Sequence, residues 1–482
     1  MFIKNIDKIH IVSGVVDYLF DIKKNGHKIG IVTNCNRNVA EKIISHIGIE
    51  GLVEILVIGN ECKNSKPYPD PYLDAMKKIS INNSKCFIFE DSKTGIISAS
   101  SCNPKCLIGI CSNYDKNQLL NIGANVTIND FTEMKDININ DYENLYFSNL
   151  KKYIKNSFDV NTITFDKTKL KGGFISDVLS LTLDNKKCII KLENNSPSFL
   201  QKMANELGLY EREYYFYEKI SKHVPIKIPK FYGTIKNEND NKIGIILSNL
   251  FDKNCVINLN LNKTSIDVTL NIVSSLAKLH SSFWNFEYQN KFPELRKHND
   301  KMFCPKWGNF VREKWPIFKE KWKLMLTEKN IEKCEYIVNN FDFIQDYLSQ
   351  GNLTLCHGDV KSPNIFYKPI KNSFEPYFID WQYISIGKGV QDLVFFMIES
   401  FNVEIINTTN TMIFEYYYAK LREFGITNYD KTEYIKDIQY ASYYFPFFVA
   451  MWFGTLNDDE LIDKNFPFFF IQRLLNFFDL LN

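Results

Sequence analysis

"LCHGDVKSPNIFYKPIKNSFEPYFIDWQ", residues 355–382, decides how the larger part of the chain is read. Asp359 and Asn364 stand five positions apart, and Asp380 follows a hairpin-like unit at the end of the apolar strand "YFID". That order suits phosphoryl transfer, in which a protein mostly positions its reactants. One carboxylate accepts or orients the proton of an acceptor hydroxyl, while an amide oxygen and a second carboxylate hold magnesium against a triphosphate. Asp359 fits the first role; Asn364 and Asp380 fit the second. Asp, Asn, Gly and Pro are also ordinary turn residues. Three elements in one order, with a strand delivering the last, argue against unrelated loops.

The surroundings agree with that reading. Residues 157–250 read mostly as strand with one helix, "FLQKMANELGLYEREYYFYEKISKH", and helices dominate residues 251–482 apart from the hairpin around "NIFYKPIKNSFEPYFID". A small β-rich lobe before a larger helical lobe is the arrangement of kinase-like folds. In the small lobe, "CIIKLE" puts Lys191 at the end of an apolar strand, where an ammonium could reach the α and β phosphates. The helix "REYYFYEKI" offers Glu213 as its paired acid, with Glu211 and Glu218 as competitors. "KLKGGFISDVLSL" could cover the phosphates through Gly172 and Gly173, although it lacks spaced glycines and reads equally as a hairpin turn.

"HGDVKSPNIFY", "FIDWQYISIGKGVQDLVFF" and "LAKLHSSFW" resemble the aminoglycoside phosphotransferase and choline kinase superfamily, closest to its ecdysteroid-kinase-like branch. The resemblance runs from about residue 157 to the end. It implies an α+β bilobal protein-kinase-like domain that uses ATP and Mg2+ on a hydroxyl of a small molecule. Asp359 would be the catalytic base, Asn364 and Asp380 the metal ligands, His357 a brace for the loop and Asp392 a structural acid. Lys361, two residues after Asp359, is similar to the lysine that approaches the transferred phosphate in Ser/Thr protein kinases, so it joins Lys191 among the ATP-binding residues. A protein acceptor is disfavoured by Gly358 where such kinases carry Arg, by "DWQ" in place of Asp-Phe-Gly, and by the lack of an Ala-Pro-Glu segment.

Residues 1–132 show a different pattern. Short strands at "KIGIVTN", "EILVIG", "CFIFED", "CLIGI" and "NVTI" alternate with helices such as "NVAEKIISHIG", which implies an α/β domain with a parallel sheet. Residues 133–156 form the boundary, a polar loop followed by a helix. "IVTN", "KPYPDPYLDA" and "FEDSKTGI" resemble three motifs of haloacid dehalogenase (HAD)-like hydrolases, so this would be a HAD-like Rossmannoid domain. By that resemblance Thr33 and Asn34 would meet a phosphoryl group, Lys66 would neutralise its charge, and Glu90 with Asp91 would hold magnesium.

The first motif is missing. No Asp-x-Asp occurs in the 482 residues, so the nucleophile and the acid of that chemistry are absent. The strand that would carry them belongs between "KIGIVTN" and "CFIFED", so the domain is expected to be incomplete. It has closed over the loss as a binding or scaffolding module, has its missing strand upstream, or is completed by another chain. A third reading, phosphatase activity, would need that segment supplied upstream as a strand ending in Asp-x-Asp.

A formal charge of +2, with 45% hydrophobic and 24% charged residues, gives no electrostatic reason to expect nucleic acid or a membrane as partner. The eleven cysteines form no Cys-x-x-Cys pair, which fits reduced thiols in a cytoplasmic protein better than disulfides or zinc. "YYFPFFVAMWFG" is too short to span a bilayer and reads as a buried helix. The expectation is an ATP- and Mg2+-dependent small-molecule kinase with a degenerate hydrolase-like domain. The alternative is a non-catalytic phosphate- or nucleotide-binding protein.

Overall fold

A computed structural model describes residues 9–134, 142–169, 176–194, 199–303, 305–457, 461 and 463–481. The chain divides into two compact units: Met1–Asn185 with Lys191–Asn205 and Ile235–Ile243, and Lys186–Ile190 with Glu206–Thr234 and Gly244–Asn482. The expected glycine loop at Gly172 and Gly173 lies outside the described residues.

In the first unit five short strands form where the β-branched runs stand: β1 (Gly30–Thr33), β2 (Ile55–Ile58), β3 (Phe87–Glu90), β4 (Cys106–Ile110) and β5 (Val126–Ile128). All their pairings are parallel. β4 is buried along its whole length because helices cover both faces. Its alternate side chains serve two cores: Cys106, Ile108 and Ile110 pack with Tyr18 and Phe131, while Leu107 packs with Ile88, Ile96 and Leu119. The helix Arg37–Ile47 stops at Gly48, whose φ of 77° only glycine adopts without strain.

The sheet is divided. β1 pairs with β2, and β3-β4-β5 form a separate sheet; among the described residues no strand joins β1 to β3. This is the position where the sequence lacks its Asp-x-Asp strand. Side chains make the connection instead, with Val32 of β1 packed against the cluster around Ile88.

Further along, β6 (Ile163–Lys169), β7 (Ser176–Leu183), β8 (Lys186–Glu193), β9 (Phe231–Lys236) and β10 (Lys242–Ser248) form a five-stranded sheet in the order β6-β7-β8-β10-β9. The helix expected over residues 199–223 is broken into Phe199–Glu206 and Leu209–Tyr215, followed by a π-helical turn at Phe216–Ile220. The break falls at Gly208, which takes a left-handed φ of 59°.

The rest of the second unit is helical around β11 (Thr354–Cys356), β12 (Ile365–Ile370), β13 (Ser373–Phe378) and β14 (Ser385–Gly387). β12 and β13 form the expected hairpin, whereas the antiparallel pair β11 and β14 was not legible in such short segments. Phe445–Thr455 is the buried apolar helix, with Pro446 in its first turn, where a missing N–H costs nothing. Lys388 is buried on Asp437 at 3.0 Å and Glu433 at 3.3 Å, tying the segment after β14 to the helix Lys431–Tyr443.

Ile108 is fully buried at the centre of β4. We expect Ile108→Ala to cost about 2–5 kcal/mol. Hydrogen exchange should show the loss as weakened amide protection in β3–β5, with residues 244–482 unchanged.

Candidate active site

The loop between β11 and β12 brings three of the expected residues together. Asn364 donates its amide Nδ2 to the Asp359 carboxylate at 2.9 Å and to the Asp359 carbonyl at 3.0 Å. The Lys361 ammonium lies 2.9 Å from the same carboxylate oxygen. A 3₁₀ turn, Ser362–Asn364, makes this possible: the Asn364 N–H bonds to the Lys361 carbonyl and folds Asn364 back over Asp359. Ser362 anchors the turn from outside: its N–H donates to Ser400 Oγ, and its hydroxyl donates to the Leu259 carbonyl and pairs with the Tyr367 hydroxyl. Burial raises the Asp359 pKa, Lys361 opposes that rise and the Asp380 charge adds to it. Burial alone would lower Lys361; the Asp359 and Glu399 carboxylates outweigh it and hold the ammonium's proton firmly.

Asp380 is positioned by its neighbour. The Ile379 N–H donates to the Asn364 carbonyl at 3.0 Å, and the Ile379 carbonyl accepts from His357 Nε2 at 2.9 Å. Asp380 itself takes a left-handed conformation, φ 66°, which turns the chain out of the β13 direction. The other ring nitrogen of His357 accepts from the Asp359 N–H at 3.3 Å. Burial depresses the His357 pKa, so the ring is neutral and its Nε2–H is committed to Ile379. One imidazole thus ties the Asp359 segment to the Asp380 segment. Trp381 covers this joint, 4.4 Å from the His357 ring and stacked at 3.9 Å on Phe216.

Asp392 holds the loop from beneath. It accepts from the His357 N–H at 2.7 Å and the Gly358 N–H at 2.8 Å, and His280 Nε2 lies 3.1 Å away. Tyr417 closes the chain at 2.7 Å from His280 Nδ1. Burial works to raise the Asp392 pKa, but His280, the positive end of His357 and the Gly358 amide hold it below the ordinary value. Gly358 has φ 87°, and a Cβ there would sit 2.2 Å from the Tyr383 carbonyl oxygen, so no other residue fits. His280, Cys356 and Asp392 are close enough to suggest a metal centre. Their chemistry does not: His280 and Asp392 are spent on each other and on backbone, and burial pushes the Cys356 thiol far up.

Lys191 lies on β8 in the first unit, and Glu213 is buried in the helix Leu209–Tyr215 of the second. Of the competing acids, Glu211 is exposed and Glu218 accepts from the Thr234 hydroxyl at 2.6 Å. His280 and Tyr417 had no role in the sequence reading. A polar residue on the apolar face of the helix Ile266–Ser282, four positions after Leu276, was the available signal.

In the first unit Thr33, Asn34, Lys66, Glu90 and Asp91 all gather at the strand ends. Asn34 binds the Lys66 backbone in both directions, at 3.2 and 3.3 Å. The Thr33 hydroxyl accepts from the Cys35 N–H, and Asp91 accepts from Ser112 at 2.9 Å. The Lys66 ammonium donates to the Val32 carbonyl and the Tyr72 hydroxyl, each at 3.0 Å, and to the Glu90 carboxylate. An ammonium has three donors, and all three are used inside the protein. Glu90 is turned toward Lys66, Tyr72 and Ser92.

The second unit's loop and the β-rich segment before it define a kinase-like fold with a phosphotransferase type of loop, and the first unit has a HAD-like Rossmann-type fold. The chain belongs to the ecdysteroid kinase-like family, whose model matches residues 180–427. Residues 2–108 match the haloacid dehalogenase-like hydrolase model. Among curated relatives, validoxylamine A 7'-phosphate phosphatase of Streptomyces hygroscopicus is 27% identical over 124 residues, 26% of this chain and 57% of that protein. A phosphorylated carbohydrates phosphatase of Thermotoga maritima is 29% identical over 23% of this chain and 52% of its own. The chain therefore spans about half the length of these relatives. Among solved structures, a Plasmodium vivax ethanolamine kinase aligns over 77% of this chain and 98% of its own, with 14% identity and a TM-score of 0.43. A spectinomycin phosphotransferase aligns over 70% and 98%, with 16% identity and a TM-score of 0.42.

Asp392→Ala leaves two amides and His280 without their acceptor. The expected cost is roughly 3–5 kcal/mol. Urea denaturation should show it as a lower midpoint, and Tyr417→Phe should show a smaller loss in the same direction.

Proposed function

We propose that the chain is an ATP- and Mg2+-dependent phosphotransferase acting on a hydroxyl group of a small molecule. The observation that carries this reading is the buried Asp359 carboxylate held between the Asn364 amide and the Lys361 ammonium, beside an Asp380 segment fixed through Ile379. Asp359 is the base: its carboxylate orients the acceptor hydroxyl and takes its proton as phosphorus is attacked. Lys361 lies where its charge can offset that developing on the transferred phosphoryl group. Lys191, near the end of β8, is assigned to the nucleotide phosphates.

The donor set fits magnesium. Asn364 spends Nδ2 on Asp359, among the described residues no hydrogen bond reaches its Oδ1, an oxygen suited to a hard cation, and Asp380 supplies a carboxylate. Bound there, magnesium would neutralise charge on the phosphate oxygens. His357 and Asp392 act through the loop as positioning residues.

For the first unit we infer a binding or scaffolding role without hydrolysis. Lys66 is saturated by Val32, Tyr72 and Glu90, so a phosphate must displace an internal partner to reach it. The ten described cysteines are free thiols, in keeping with a cytoplasmic protein. Among the described residues no helix is long and apolar enough to cross a membrane.

ATP consumption by the full chain against a panel of hydroxylated acceptors tests this reading. Asp359→Ala should lower acceptor-dependent turnover by about 10²–10⁴-fold while ADP binding persists. Turnover equal to the parent's would refute the assignment of the base. Asp380→Ala should instead weaken nucleotide binding in the presence of magnesium and leave magnesium-free binding unchanged, which titration calorimetry with and without EDTA resolves.

A further inference from the structure

Behind the catalytic loop lies a cavity of about 30 Å³. Its walls include Arg212, His298, Trp307, Tyr383, Tyr444 and Phe445, and Gly358, the residue before Asp359, lines it too. Arg212 is the feature that needs an explanation. Its guanidinium has five donors, yet among the described residues it makes one side-chain hydrogen bond, to the Ile384 carbonyl, and lies 5.2 Å over the Phe303 ring. Among the described residues no carboxylate forms a salt bridge with it. Burial pushes Arg212 down to about 10, and the charge of Arg296 acts in the same direction. Arg212 is half-buried, and a guanidinium with one hydrogen bond has donors left to offer a ligand.

Two further titratable side chains, His298 and Asp392, share the wall. Burial and the neighbouring Arg212 push His298 down to about 3, so its ring is neutral. Asp392 also reaches the wall, but its oxygens are taken by two backbone amides and His280. Aromatic walls lower the local dielectric and strengthen any ion pair formed there. Trp307, stacked at 3.9 Å on Phe448, is held in place for that role.

Tyr383 connects the cavity to the reaction centre. It lines the cavity three residues after Asp380, and its carbonyl abuts Gly358, the residue before Asp359.

We propose that this cavity is an anion seat for the acceptor, in which Arg212 holds the carboxylate of a small hydroxy acid whose hydroxyl faces Asp359. The proposal rests on the phosphotransfer reading for its hydroxyl end and on the Arg212 cavity for its carboxylate end. A guanidinium fork matches the two oxygens of a carboxylate. The volume of about 30 Å³ holds such a head group, since one water needs roughly 10–15 Å³. A cationic amino alcohol would meet Arg212 with like charge.

Titration calorimetry of the full chain with glycolate, glycolamide and ethanolamine tests the seat. Glycolate should bind about tenfold or more tightly than either neutral or cationic analogue. Arg212→Gln should remove that preference with its near-ultraviolet dichroism intact. Equal binding of glycolamide, or a preference that survives in Arg212→Gln, would overturn the proposal. Should Arg212→Gln not fold, the parent's selectivity among the three probes decides. ATP turnover measured in parallel separates the two readings. Turnover of ethanolamine but not glycolate, lost in Asp359→Ala, would sink the seat and keep the phosphotransfer. Glycolate selectivity in a chain that turns over no acceptor would do the reverse.

Discussion

The peptide unit at Ile379 is held at both ends, and the geometry of the site depends on it. Its N–H is bound by the Asn364 carbonyl and its carbonyl by His357 Nε2. The site groups come from segments about twenty positions apart, so local structure alone could not align them. A metal ligand must be placed to a few tenths of an ångström, and a neutral, buried imidazole does this better than a charged one. Its two nitrogens have fixed and opposite roles, donor to Ile379 and acceptor from Asp359. Protonation would destroy the second of these. Burial, which disfavours the charged ring, is therefore part of the positioning and not a by-product of packing.

Beneath that clamp, the negative charge of Asp392 is stabilised where an isolated carboxylate would be expensive. Two amides of the loop and His280 share it, and Tyr417 orients His280. The loop therefore has a low-energy arrangement only when its N–H groups point inward. Gly358 is required for the same reason, because the close approach of the Tyr383 carbonyl leaves no room for a Cβ. Rigidity here has a chemical use. Effective transfer needs reactants held within near-attack distance, and a loop that could relax would lose that advantage.

Legibility in the sequence followed the range of each interaction. The strand runs of the first unit, the glycine stop at Gly48, the hairpin and the order of Asp359, Asn364 and Asp380 are local patterns, and each could be read. The missing Asp-x-Asp was equally local, and its consequence, a sheet parted between β1 and β3, follows from where that strand belongs. The break at Gly208 was passed over because the helical pattern continues on both sides of it. His280 and Tyr417 escaped because their partners are 112 and 137 positions away in sequence. Arg212 sat in a run of alternating charges, where a solvated face is the ordinary reading. Only the fold shows that this one arginine turns inward.

The two phosphate-handling motif sets of this chain differ in a way that motif matching does not register. In the first unit the ammonium of Lys66 has three donors and three internal acceptors, and the chain has no carboxylate in the position of a nucleophile. A ligand that reached Lys66 would have to displace one of these internal partners. Among the described residues of the second unit, no hydrogen bond reaches Asn364 Oδ1, and Arg212 makes one side-chain hydrogen bond and no salt bridge. Leaving polar groups unsatisfied lowers stability, and a fold that retains the cost at adjoining points has a ligand to bind there. By that criterion the loop around Asp359 is the better candidate for chemistry, and Lys66 of the N-terminal motifs is held by the protein's own internal contacts.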